Sequence, residues 1–139
     1  MENEFEKYDA FEKRLTEKYP AMFSQPYGGI AVGEGWWPII ESLCANIQGH
    51  IKWKNKDAEV VPQVVVMQIK EKFGGLRFYY DGGDEQIRGM VYMAESWASR
   101  TCEICGVPAT KQTTGWIKNV CDEHFNKIEA RKKERLDNV

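Results

Sequence analysis

Three of the four cysteines and one of the two histidines fall in a single stretch, TCEICGVPATKQTTGWIKNVCDEHF, Thr101 to Phe125. They form two pairs, Cys102-Glu-Ile-Cys105 and Cys121-Asp-Glu-His124, each with two intervening residues. That spacing lets two sulfurs point into one turn, and the glycine after the second cysteine lets the chain bend back on itself. If a helix begins near Asp122, Cys121 and His124 lie about one turn apart and face the same way. A Cys3His set suits tetrahedral zinc. Zinc with all four positions filled is structural, because a catalytic site keeps one position open for water. A redox pair of the thioredoxin kind is the competing reading of Cys-x-x-Cys. Such pairs usually follow a strand and open a helix, whereas this one follows a helical pattern and runs into Gly-Val-Pro, and redox chemistry leaves Cys121 and His124 unexplained. We therefore expect a structural zinc ion on Cys102, Cys105, Cys121 and His124.

Enzymatic readings of the chain lack their parts. A nuclease built on such a zinc unit needs a further histidine and a second metal site, and only His50 remains. A zinc deaminase needs His-x-Glu followed by Pro-Cys-x-x-Cys. GGIAVGEG has no Lys-Ser/Thr after it, so it is not a phosphate-binding loop. No Gly-x-Ser-x-Gly occurs. His50 is expected as a helix-end or surface residue, and Cys44, on an apolar helix face, as a small buried hydrophobe. The expectation is that the protein is not an enzyme.

The elements that must position these residues follow from periodicity. Phe5, Tyr8, Phe11, Leu15 and Tyr19 recur at helical spacing over residues 4–19, and Pro20 ends the run. AMFSQPYGGIAVGEG reads as loop. A second helix starts near Trp36, with Trp36, Ile40, Leu43, Cys44, Ile47 and Ile51 on one face and Pro38 in the first turn. Residues 52–59 read as an exposed connection. Residues 64–70 and LRFYY are β-rich and are joined by five residues containing Gly-Gly, which predicts an antiparallel hairpin. Asp84 is placed to cap a third helix with a buried stripe of Ile87, Met90, Val91, Ala94, Trp97 and Ala98. GWIKNV is a candidate strand delivering Cys121 to a last helix over 122–136, with Phe125, Ile128 and Leu136 facing inward. The expected fold is α+β: helices packed on a small antiparallel β-hairpin, with a C-terminal treble-clef-like zinc unit. Residues 1–100 would form the α+β part and residues 101–139 the zinc unit, packed together as one compact domain.

Composition narrows the function classes. The chain has 139 residues, 42% of them hydrophobic and 12% aromatic, which is a folded composition. A formal charge of −2 excludes a generally basic nucleic-acid coater, so nucleic-acid binding would need a local patch. No apolar run reaches the length of a membrane span, and the N-terminal residues have no signal-peptide character, so a cytoplasmic setting is expected. Two binding surfaces suggest themselves. One is the basic run Lys127–Arg135, including Arg131, Lys132, Lys133 and Arg135, with Lys111 and Lys118 nearby. Its bland counterpart is a solvated helix face on which Glu129 and Glu134 pair locally. The other is the hairpin face carrying Arg77 and Tyr79, opposite Leu76, Phe78 and Tyr80.

GEGWWPIIESLC, QIKEKFGGLRFYYDGG and CEIC…CDEH together resemble a largely uncharacterised family of small zinc-knuckle proteins common in bacteriophage and prophage genomes. The resemblance spans roughly residues 30–125. It implies a phage product in a bacterial cytoplasm that binds a host or phage protein, with inhibition of host defence as the expected role. It supplies no catalytic residues. The alternative expectation is a nucleic-acid-binding regulator working through the basic zinc unit and last helix.

Overall fold

The computed structural model describes residues 3–138. Helix α1 spans Glu4–Lys18, opened by Asn3 in a capping box with Glu6. Its C-cap is Tyr19, next to Pro20. Phe11 and Leu15 are buried, whereas Phe5 is exposed, so the apolar stripe is narrower than its spacing predicts. The expected loop that follows contains a two-residue strand, β1 (Ile30–Ala31), and a short 3-10 turn (Glu34–Trp36) that leads into α2 (Trp37–Lys54). All six residues predicted for the inner face, Trp36 through Ile51, are buried. The helix runs through Lys54, three residues into the predicted connection.

Strands β2 (Val65–Lys72) and β3 (Gly75–Asp81) form the predicted hairpin, but both are longer than expected. Lys72 pairs with Gly75, which leaves only Phe73 and Gly74 in the turn. Both have positive φ, 53° and 82°, the geometry of a type I′ turn. A five-residue connection was expected because Glu71 and Lys72 carry no β signature of their own; pairing with β3 holds them extended. The sheet is also not a simple antiparallel hairpin. β1 adds to β2 in parallel, Ile30 opposite Ile69, giving a three-stranded mixed sheet.

Helix α3 (Glu85–Ser99) packs on β3 and against α2. Asp84 caps it as predicted, accepting from the Ile87 N–H at 3.0 Å. The other Asp84 oxygen meets His50 Nε2 at 2.8 Å. His50 is therefore not a surface residue. It is 8% exposed and ties the last turns of α2 to the start of α3. Ile87, Val91, Ala94 and Ala98 are buried and Met90 is half-buried, but Trp97 is 60% exposed. Cys44 is buried as expected, and burial pushes its thiol up to about 12, which makes it inert.

After α3 come two-residue strands β4 (Lys111–Gln112) and β5 (Asn119–Val120), paired antiparallel, and then α4 (Asp122–Asp137). Trp116 and Ile117, predicted as strand, lie in the loop before β5. Phe125 and Ile128 pack on Cys102, Val120 and Cys121, while Leu136 is exposed. Among the described residues no helix is long and apolar enough to cross a membrane.

Candidate metal centre

Cys102 and Cys105 are set by a turn that closes with Gly106 N–H donating to the Cys102 carbonyl at 2.9 Å, and Gly106 adopts φ 86°. Strand β5 delivers Cys121 to the N-cap of α4, where its Sγ accepts from the His124 N–H at 3.5 Å. One helical turn later His124 faces the same point.

The ligand atoms of Cys102, Cys105, Cys121 and His124 all lie within 4.8 Å of one another. Cys105 Sγ and Cys121 Sγ are 3.8 Å apart, and His124 Nδ1 is 3.7 Å from Cys102 Sγ and 3.2 Å from Cys121 Sγ. Zinc–ligand bonds of about 2.0–2.3 Å in a tetrahedron require ligand–ligand edges of about 3.5–3.8 Å. The donor set fits one such ion, and the Cys105–Cys121 and Cys102–His124 separations match those edges. The sulfurs are free thiols rather than a disulfide. Burial pushes the Cys102 thiol up, but backbone N–H groups of Cys121, Cys105 and Ile104 outweigh it and hold the thiol below its ordinary value. Burial raises the Cys105 thiol to about 11.

Glu103, one of the two residues between Cys102 and Cys105, escapes any motif yet joins the knuckle to the rest of the fold. It is 4% exposed. Its Oε2 accepts from Gly33 N–H at 2.8 Å and its Oε1 from Lys118 Nζ at 2.9 Å, while its backbone carbonyl accepts from Gly35 N–H at 2.7 Å. Trp36, fully buried, donates its indole N–H to the Thr101 carbonyl at 2.9 Å. At the hairpin tip Asn119 donates to the Gly74 carbonyl at 2.9 Å.

Beside this joint lies a cleft of about 510 Å³ walled by Tyr8, Glu4, Glu34, Glu71, Glu103, Trp116 and Lys118, among others. Lys118 Nζ stands 3.9 Å from Glu71 Oε1, and that buried oxygen has no hydrogen-bond partner among the described residues. Burial first, then the negative field of Glu103, Glu4 and Glu34, raises the Tyr8 phenol above its ordinary value. Glu71 and Glu103 were not singled out from the sequence, because nothing local distinguishes them from other glutamates.

The predicted surface residues separate into distinct places. Lys118 is held by Glu103 and is not a free surface cation. Lys132 donates to the Thr114 carbonyl at 2.8 Å and pairs with Glu129 at 3.2 Å, so the predicted local pairing holds at that position. Lys118, Arg131, Lys132 and Arg135 line one groove; Lys111, Lys133, Arg77 and Tyr79 do not line it. Lys111 sits over the Phe125 ring and Lys70 over the Tyr79 ring. Arg77 turns back on the Leu76 carbonyl. Comparison of the chain with protein-family models, with curated proteins and with solved structures finds no match.

Proposed function

We propose that this chain is a non-enzymatic binding module, clasped by a structural zinc ion in a treble-clef-like unit, whose target is a protein. Four good ligands complete the metal's shell, so the ion's role is to hold Thr101–Asp137 in shape rather than to present water to a substrate. The phage setting, with a host or phage protein as target and host defence as the process inhibited, rests on the motif resemblance alone.

The observation that carries protein binding is on α3. Met90, Met93 and Trp97 recur at i, i+3 and i+7 and line an apolar groove of about 430 Å³ with Pro38, Ile39 and Leu43 of α2. Met93 and Trp97 are exposed there, and Tyr92 is exposed beside them. Leaving this much apolar surface in water is unfavourable, and such a groove suits an amphipathic helix of a partner, with tryptophan as anchor and methionines as adaptable walls. The test is quantitative capture from bacterial lysate with wild type and with the Met93→Ala/Trp97→Ala double variant. A partner retained by wild type and reduced at least tenfold by the variant supports the reading. Equal capture by both, or a dimer of this chain that the variant dissolves, refutes it.

A further inference from the structure

A second groove, on the zinc unit, shares no residue with the α2–α3 groove. Its volume is about 340 Å³, and it runs between α4 and the loop before β5. We infer that it binds a short segment of single-stranded nucleic acid, with a base stacked on Trp116 and phosphates met by Arg131 and Arg135.

Trp116 is 77% exposed, although it belongs to a well-held loop. Thr113, itself buried, donates its hydroxyl to the Trp116 carbonyl at 2.7 Å and accepts from the Lys118 N–H at 2.8 Å. Thr113 N–H closes the loop on the Lys118 carbonyl at 3.0 Å, and Lys132 pins the Thr114 carbonyl to α4. Four hydrogen bonds therefore hold an indole out in water rather than folding it in. A flat, preorganised aromatic face beside cations is the arrangement that stacks unpaired bases without regard to sequence.

The cations are specific too. Lys118 and Lys132 are neutralised by Glu103 and Glu129. Arg131 and Arg135 are exposed and make no ion pair among the described residues. They are one helical turn apart, about 5–6 Å between Cβ atoms, on the wall facing Trp116. Trp116 also borders the acidic cleft with Glu71 and Glu103, which repels phosphates from that side. An anionic strand is thereby confined to the α4 side of the indole. An acidic peptide would satisfy the arginines but leave the indole face unused, and duplex DNA cannot offer an unstacked base.

The test uses the purified full chain and a short fluorescein-labelled oligothymidylate, read by anisotropy at several salt concentrations. Two phosphate contacts on a single strand predict a log–log salt slope of about −1.4. Trp116→Ala should weaken binding roughly fivefold or more, and Trp116→Phe should recover most of it, because stacking on one base is worth ~1–3 kcal/mol. Arg131→Glu/Arg135→Glu should abolish binding at the lowest salt. All of these side chains are exposed, so retained zinc content and circular dichroism will show that the variants fold. No binding at low salt, binding indifferent to Trp116→Ala, or equal binding of an oligoglutamate or a duplex of the same length would each overturn the proposal.

Discussion

Gly35→Ala touches no ligand, yet it should loosen the metal. A Cβ at Gly35 would stand 2.1 Å from the Cys102 carbonyl oxygen, 2.6 Å from the Gly106 nitrogen and 2.7 Å from the Glu103 carbonyl carbon. All three are backbone atoms of the knuckle, so no side chain can swing aside to make room. Overpacking of this kind costs about 1–3 kcal/mol. The bond from Gly35 N–H to the Glu103 carbonyl, 2.7 Å long, adds about 1 kcal/mol if it is lost. The expected destabilisation is therefore about 2–4 kcal/mol. Relief requires the Cys102–Gly106 turn to move, and that turn carries two ligands. Folding of the liganded unit and metal binding are linked, and each 1.4 kcal/mol of strain placed there lowers affinity about tenfold. Zinc affinity should fall roughly tenfold or more, measured by competition with a chromophoric chelator, alongside urea unfolding. Gly49→Ala is the control, because within α2 an added Cβ there meets no other described part of the chain within 4 Å. It should stabilise by about 0.4–1 kcal/mol. If Gly35→Ala unfolds within about 0.5 kcal/mol of wild type and keeps its zinc affinity, the turn at Gly35 is not the joint described.

Two further outcomes follow from the centre and the core. The purified protein should hold one equivalent of zinc by elemental analysis. Chelation, or Cys121→Ser, should unfold the segment after Thr101, since a structural zinc contributes of order 10 kcal/mol to its unit; full helicity after chelation would contradict this. The hydrogen bond from His50, then the Ile87 N–H, holds the Asp84 carboxyl below its ordinary value. A depressed carboxyl contributes stability that is present above its unfolded value, about pH 3.9, and is lost as pH falls through the folded value. Asp84→Asn keeps a capping acceptor but should flatten that acid limb in unfolding curves. Asp84→Ala should also lose the cap, about 1 kcal/mol at neutral pH. An unchanged acid limb in Asp84→Asn would remove Asp84 from the account.

The local signals proved sound where chemistry and backbone coincide over a few residues. The two Cys/His pairs that could hold a metal, the Asp84 cap, the residue before Pro20 and the six inward residues of α2 needed no knowledge of the rest of the chain. Each depends on a neighbour one turn away. Strand β1 is different: Ile30–Ala31 inside a Gly-rich run has no β pattern of its own and is a strand only because β2 offers an edge. His50 reads as a helix-end residue until Asp84 arrives opposite it.

Trp97 shows the limit most plainly. Helical periodicity states which face is apolar, but only the packing of α2 against α3 decides how wide a band of that face is covered. The band stops short of Trp97. The same holds for the metal centre. The sequence alone pointed to the candidate donor set, its Cys3His chemistry and the helix turn that aligns Cys121 with His124, because ligand spacing is a local property. Tertiary structure decided what that clasp is fastened to. Glu103, Lys118, Glu71, Gly33 and Gly35 meet across long separations, and contacts of that kind leave no periodic trace in the chain.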